Sequence, residues 1–529
     1  MVDAMRPFTR LHRRRSSLEP YVGPRAFQPE DATVFSCRIA ESAALGRLWE
    51  THRVTVLSGG SGSGKTSLLN AGVYPHLTSA HADVLAIGKV GVAPEVPQPV
   101  LPEHNPYTLG LLSSWAPELP YTDLAGLTVL EFLRRRGKRT DRYGQAVPVL
   151  AAIDQAEDLF RWNPAYCAAL IEELKEALTA DSRLRLLLSV RDDYRDELID
   201  RDYLIGRGDT ADLRLAALSP DEAAAAVRLP VINSGRFYEP GAVEALVGNL
   251  RHESSTTVDQ PAAEVEPVLL QVACAGIWET MPPDREAISL DDVSGAAVER
   301  SLTAYTGRVL SETADEYAAS APELLSWAVS TFGADGAAEE GAERTAGMPN
   351  SIVRRLQDRH LLKAERRSGS RVFRLLDERL RGPLQRATVG TIAHPSAEES
   401  MLAAARALDE GDLARARRHA LRAAEEPGAE IRLRAAAESA IGNIAYSQGD
   451  YPAAREHYHN AAALFETLQD TESVGVLLAA MGLTDVLRDR HSEAVTAMQG
   501  AISRNPTDSR MRSALTRTLR EMNAKGRSS

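Results

Sequence analysis

Residues 59–66 read Gly-Gly-Ser-Gly-Ser-Gly-Lys-Thr, an octapeptide that fits GxxxxGK[ST]. An apolar run, Val54-Thr55-Val56-Leu57, precedes it, and Ser67-Leu68-Leu69 opens an apolar helix behind it. Few folds pass a buried strand through a glycine-rich turn straight into a helix. The glycines let successive backbone N–H groups converge on an anion without a side-chain clash, and the helix N-terminus adds partial positive charge. In this pattern Gly59, Gly60, Ser61, Gly62, Ser63 and Gly64 cradle phosphate oxygens, with Ser67 beside them. Lys65 reaches the β- and γ-phosphates and Thr66 offers a hydroxyl to magnesium. The expected ligand is ATP or ADP with Mg2+. A chance Gly/Ser-rich turn is the plainer reading, and it leaves the flanking strand and helix unexplained.

Compact apolar runs recur at Arg53–Leu57, Asp83–Gly91, Val147–Ile153 and Leu184–Val190, with helical stretches such as Pro164–Thr179 between them. This alternation predicts a parallel sheet with helices on both faces. The third run leads into Asp154-Gln155-Ala156-Glu157-Asp158. A buried strand ending in Asp154 sets a carboxylate beside magnesium, directly or through water. Glu157 or Asp158 is then placed to polarise an attacking water, and Glu157 is the first choice. The plainer reading is an acidic helix N-terminus. Arg191, just past the fourth run, is a candidate γ-phosphate sensor, or else an ordinary partner of Asp192 or Asp193.

The rest of the chain divides by composition. Residues 1–19, with Arg13-Arg14-Arg15, read as a disordered basic tail, and residues 20–215 as the nucleotide domain. From 216 to 300 the pattern is helical. It starts at Ser219-Pro220-Asp221-Glu222, which has capping-box spacing, and is broken by a polar loop at His252–Val258. Residues 301–386 hold helices, a disordered-looking insert (Gly333–Met348) and a helix at Ser351–His360. A hairpin turns at Ser368-Gly369-Ser370, which suggests a winged helix. A linker spans 387–397. Residues 398–525 are Ala-rich and repeat: Ala416, Ala454 and Ala494 are equivalent, 38 and 40 residues apart. Gly442, Tyr446, Tyr458 and Ala461 fill the second repeat, and Gly482, Met498, Ala501 and Pro506 the third. Small residues where two helices cross resemble the tetratricopeptide pattern, with helices lengthened beyond the usual repeat and a last helix near Ser509–Met522. The expected fold class is therefore multidomain: an α/β P-loop sheet, a helical domain, a winged helix and an all-α solenoid.

The 529 residues are 44% hydrophobic and 25% charged, with net charge -12. No global basic surface points to nucleic acid as the main partner. Cys37, Cys167 and Cys274 are far apart, as expected of free thiols in a reducing compartment. No apolar run reaches the ~18 residues of a membrane helix, so a cytoplasmic protein is expected. No HExxH occurs, and no Ser/His/Asp set can be inferred.

Taken together, these residues resemble a STAND-class NTPase of the novel-STAND bacterial type. Pro20-Tyr21-Val22-Gly23-Pro24-Arg25-Ala26-Phe27 resembles that family's entry segment. Ala71-Gly72-Val73-Tyr74-Pro75 resembles the end of its P-loop helix, and Asp154-Gln155-Ala156-Glu157-Asp158-Leu159-Phe160 its acidic strand end. The resemblance covers residues 20–386. It implies an ADP-bound closed form that opens on ATP exchange, oligomerises and activates an effector. It also implies that Pro230 packs on adenine, whereas on its own residues Pro230 is equally a helix terminator. Two positions depart from the family pattern. Cys37-Arg38 stands for Gly-Arg, and Asp377 stands where a histidine that contacts the β-phosphate is expected.

The leading expectation is a slow ATPase acting as a molecular switch, with the repeats detecting a protein or peptide ligand. Because only a short tail precedes residue 20, the effector is expected to be a separate polypeptide, or oligomerisation itself the output. The alternatives are a DNA-binding regulator and a constitutive chaperone-like ATPase.

Overall fold

Five strands form the central sheet: β1 (Val54–Gly59), β2 (Asp83–Gly88), β3 (Val149–Ile153), β4 (Leu184–Arg191) and β5 (Thr210–Leu215). All pair in parallel, in the order β2-β3-β4-β1-β5. The inner strands β1, β3 and β4 are apolar on both faces because helices cover both. Alternate residues serve the two sides. Val54, Val56, Val149, Ala151 and Leu186 face a core shared with helices Pro106–Trp115, Val129–Arg136 and Pro164–Ala180. Leu57, Leu150, Ala152 and Leu187 face Leu45, Trp49, Leu68 and Leu69 on the other side. The computed structural model describes residues 20–504 and 510–525, apart from 36, 78–80, 91–97, 102–103, 161–163, 200–208, 233, 252–263, 283, 335, 368, 390–395 and 410. The basic tail 1–19, the loop 252–258, residue 368 of the hairpin turn and most of the linker lie outside the described residues.

The sequence predicts four strands, and β5 is a fifth. It lies at the edge of the sheet, and its exposed and half-buried residues alternate. It therefore lacks the continuous apolar run that marks the inner strands.

Helix Pro220–Arg228 begins as its capping box predicts: the Ser219 hydroxyl accepts Glu222 N–H, and the Glu222 carboxylate accepts Ser219 N–H. The division expected at residue 300 is not where the fold breaks. Helix Gly295–Glu316 runs straight through it. One core continues from Tyr21, Val227 and Leu270 through Leu302 and Leu310 to Val353, Phe373 and Leu384. The helical part and the helix–hairpin part that follows it are thus packed as one body.

The expected helix and hairpin are present as Asn350–Asp358, Leu362–Arg367 and Ser370–Leu375. The insert 333–348 is not disordered-looking in the fold. Ala338–Glu339 adds a third strand beside the hairpin, and Arg344–Thr345 pairs with Met348–Pro349. Asn350 ties this segment down: its carbonyl accepts the Thr345 hydroxyl and its amide donates to Gly341 C=O, both at 2.8 Å. Two-residue strands are too short to leave a periodic signal.

Beyond the linker, helices Ala397–Asp409, Leu413–Glu425, Ile431–Ser447, Tyr451–Thr467, Thr471–Leu487 and His491–Arg504 stack as antiparallel pairs, and Arg510–Lys525 closes the end. Ala416, Ala454 and Ala494 are fully buried at the crossings. A Cβ on Gly442 would lie 2.6 Å from the Tyr458 ring, and one on Gly482 would lie 2.7 Å from Met498. The spacing that betrays the repeats is therefore a steric demand of close helix approach.

The first pair docks on the end of helix Gly295–Glu316. Glu316 is 5% exposed. Its carboxylate meets Arg355 at 2.9 Å, Arg359 at 3.0 Å and Arg406 of the array at 3.9 Å. His419 Nε2 donates to Glu316 C=O at 2.8 Å, and Arg422 pairs with Asp315 at 2.6 Å. Burial works to raise the Glu316 carboxyl, but the three arginines outweigh it and hold it below the ordinary range.

Candidate functional site

The carboxyl ends of β1, β4 and β3 lie side by side, and the predicted residues gather there. Gly59, at the end of β1, is the register partner of Arg191 at the end of β4. Because β4 separates β1 from β3, Arg191 stands between the glycine loop and Asp154.

The loop has the shape that an anion requires. Gly62 and Gly64 take φ of +79° and +95°. A Cβ on Gly60 or Gly64 would meet nothing within 4 Å, so the backbone faces open space there. A Cβ on Gly59 would strike Leu215 C=O at 2.7 Å, which requires glycine where β1 leaves the sheet. Lys65 Nζ folds back over the loop and donates to Gly59 and Gly60 C=O, both at 2.9 Å. Burial lowers its ammonium below the ordinary lysine value, with Glu157 opposing. The Thr66 hydroxyl donates to Asp154 Oδ2 at 2.8 Å. Asp154 is 2% exposed, and its other oxygen, Oδ1, is buried without a hydrogen-bond partner. An orphan carboxylate oxygen beside a threonine hydroxyl suits a hard cation.

Glu157 and Arg191 are both buried and held to each other. Glu157 accepts the Arg191 backbone N–H at 3.3 Å and lies 3.4 Å from its guanidinium. Arg191 also lies 3.6 Å from Asp193, as one sequence reading anticipates, and pairs with Asp358 at 2.9 Å. That last bond crosses to the end of helix Asn350–Asp358. Arg371 of the hairpin makes a second crossing, to Asp193 at 3.1 Å and over the Tyr194 ring at 4.1 Å.

Asp377, which stands where the resemblance leads one to expect a histidine, is engaged at its own turn. Its carboxylate caps the next turn by accepting Arg379 N–H at 2.8 Å. The histidine at the glycine loop is His360. Its Nδ1 lies 3.1 Å from Ser61 Oγ, while that hydroxyl donates to Gln357 C=O at 3.2 Å. The Ser61 hydroxyl is thus shared between the His360 ring and the Gln357 carbonyl. His360 follows the end of helix Asn350–Asp358 at φ +57°, a left-handed residue that turns its ring toward the loop. Burial pushes His360 down to about 4, with Lys65 and Arg191 adding to the effect and Asp358 opposing it. A histidine neutral in the fold but with an ordinary value near 6.5 when unfolded binds fewer protons folded than unfolded. Its contribution to stability is expected to be lost as pH falls from about 6.5 to about 4. Thermal unfolding of His360→Gln against wild type checks this: the variant's pH dependence should be flatter across that window.

The residues that flank the loop are held by their neighbours. The Ser67 hydroxyl accepts Phe27 N–H at 3.2 Å, so its side chain anchors the entry segment rather than facing the loop's open side. The same segment begins at Tyr21, whose hydroxyl donates to Val227 C=O at 2.7 Å. Pro230 is buried on the turn after helix Pro220–Arg228, two peptide units beyond that bond's neighbour Arg228. Arg38 is buried, donating to Ala216 C=O at 2.6 Å and pairing with Glu41 at 2.9 Å. It thereby ties the first helix to the exit of β5.

Residues 20–396 match the family model of Novel STAND NTPase 1. The chain belongs to this family. Among solved structures it is similar to a Walker-type ATPase of Pyrococcus abyssi, at 15% identity and TM-score 0.42, over 68% of this chain and 98% of that one. It is similar to the ORC2 protein of Aeropyrum pernix, solved in ADPNP–ADP complexes, at 17% identity and TM-score 0.36, over 66% and 94%. It is also similar to a STAND protein with a tetratricopeptide repeat sensor from Pyrococcus horikoshii, at 12% identity and TM-score 0.25, over 87% and 70%. No curated protein matches the chain.

Sequence reasoning did not find two residues that meet the glycine loop and Arg191 in this STAND protein, His360 and Asp358. Both sit at the end of an amphipathic helix whose apolar face, Ile352, Val353 and Leu356, is buried. The available signal was local: a polar Arg-His pair where that helix must stop, followed at once by apolar Leu361 and Leu362. No helix among the described residues is long and apolar enough to cross a membrane.

Proposed function

We propose that this STAND protein is an ATP-dependent signalling switch, closed with ADP, opened by ATP and reset by slow hydrolysis. The observation that carries this reading is the contact of the winged helix with the nucleotide loop, His360 on Ser61 and Asp358 on Arg191. Residues that hold the two bodies together are thus the residues a phosphate would touch. Inverting such a switch takes about 5.5 kcal/mol of differential affinity, within reach of one γ-phosphate with Lys65 and Arg191.

In this reading the backbone of Gly59–Thr66 binds the phosphates, Lys65 neutralises them, and Pro230 lies against adenine. Thr66 and Asp154 would hold a magnesium ion, which would supply positive charge beside the phosphates. Arg191 turns from Asp358 and Glu157 toward a γ-phosphate. Glu157, released, polarises water. Residues 20–215 are the nucleotide domain, 216–386 move as a body against it, and the array from 398 receives a protein or peptide ligand. Opening exposes surfaces for homo-oligomerisation and for a separate effector in the cytoplasm, in a defence or regulatory pathway.

The DNA-binding reading has less support. Arg354, Arg355 and Arg359 on the winged helix are engaged by Glu340, Glu316 and Glu312, leaving them poorly disposed toward a duplex. The test is to purify the protein, denature it and identify the nucleotide released. Near-stoichiometric ADP is the expected result. An empty site with rapid multiple turnover would replace the switch with a constitutive ATPase.

A further inference from the structure

The chain between β2 and helix Pro106–Trp115 reaches the face of the array. Gln98–Val100 form one turn, closed by Leu101 N–H to Gln98 C=O at 3.1 Å. This turn lies on Ile431–Ser447 and Thr471–Leu487, the first helices of two successive pairs. The Gln98 backbone N–H donates to Asn443 Oδ1 at 2.8 Å, and the Ser447 hydroxyl is shared between Gln98 Oε1 at 2.7 Å and its own helix's Asn443 C=O at 2.9 Å. The Tyr458 hydroxyl donates to the same Asn443 oxygen at 2.9 Å, which fixes how the amide is turned. Val100 packs against the apolar clusters of Leu477, Ala480 and Met481 and of Val476 and Leu478. Its neighbour Leu101 packs into the core beneath the sheet. Two adjacent residues therefore grip two different bodies.

An amide that takes a main-chain N–H, a hydroxyl that reads a side-chain carbonyl and an apolar seat one step further on are the parts of a peptide-reading groove. Polar anchors hold the backbone and pockets choose the side chains. We infer that this face is the ligand groove of the array, and that Gln98-Pro99-Val100 fills it as the chain's own stand-in. The external ligand is a peptide segment with a Gln or Asn followed two positions on by an aliphatic residue. The inference rests on reading the repeats as the sensor, and it adds the site, the ligand chemistry and a built-in competitor. A tethered segment acts at an effective concentration on the order of millimolar. A stand-in with intrinsic affinity of roughly 0.1 mM then weakens an external ligand about tenfold. Displacing it would also free Leu101, and with it the β2 side of the nucleotide domain, from the array.

The experiment uses the full chain and a fluorescein-labelled peptide of the chain's own residues 95–103, read by anisotropy. Val100→Asp places a charge on the apolar seat and should vacate the groove, raising peptide affinity about tenfold over wild type. Adding Asn443→Ala to that variant should cancel the gain. If Val100→Asp does not fold by circular dichroism, Gln98→Ala, at an exposed side chain, replaces it with a smaller gain in the same direction. Equal affinity in wild type and both vacated variants, or a gain indifferent to Asn443→Ala, overturns the inference. The readout does not pass through the nucleotide. If ADP co-purifies but the vacated groove takes no peptide, the stand-in fails while the switch survives. If the peptide binds as expected to a chain that carries no nucleotide, the groove stands and the switch fails.

Discussion

Lys65→Ala is expected to lower ADP and ATP affinity by at least a hundredfold while leaving the fold intact. The Lys65 ammonium makes two bonds, to Gly59 and Gly60 C=O, both within its own loop, and Gly60 is exposed to water. Hydrogen bonds to charged groups contribute about 1.5–3 kcal/mol each, and a phosphate approaching this loop would gain two or more from the ammonium. Isothermal titration with each nucleotide, alongside a melting curve, measures the effect. Retained affinity in a folded variant would remove Lys65, and with it the assigned phosphate position, from the site.

Glu316→Gln is expected to release the array from helices Gly295–Glu316 and Asn350–Asp358. The substitution keeps the shape and removes the single carboxylate that Arg355, Arg359 and Arg406 share. Breaking a buried ion pair costs about 3–5 kcal/mol, and here the remaining charges are three like cations. The expected observations are a larger radius of gyration in small-angle scattering, new protease cleavage in 387–397 and faster nucleotide exchange. Glu312→Gln is the control. Glu312 is 39% exposed and pairs with Arg359, so its loss is expected to cost no more than about 1 kcal/mol. Equal behaviour of the two variants would mean that the Glu316 cluster is not what holds the array.

What was legible in the sequence is what local physics makes local. The inner strands announce themselves because residues such as Leu150, Ala152, Leu187 and Leu188 are buried whichever face they point to. The glycine loop is legible because backbone geometry alone builds it, and the repeats because Gly442 and Gly482 sit where no side chain fits. β5 was not legible, since an edge strand reads as ordinary polar alternation. The insert 333–348 was misread because its order depends on Asn350 reaching back to it. His360 was missed for a different reason. It is 299 residues from Ser61, and only the docking of two bodies makes it part of the site. Asp377, where the resemblance leads one to expect a histidine, is a separate position from His360, on the far side of the hairpin 362–375.

Helix Gly295–Glu316 has 22 residues, which makes it a rod about 33 Å long. Its first half is set in the core by Val298 and Leu302, its middle by the Tyr305 hydroxyl on Arg359 C=O, and its tip carries Glu312, Asp315 and Glu316. A turn of roughly 10° about the seated end sweeps the tip through about 6 Å. That sweep is longer than any of the ion pairs it carries, so they would part together rather than one by one. Val309, Leu310 and Ala314 keep the far half in the same core, so the tip would travel only with the body around it, and the array would be released in one step rather than by degrees.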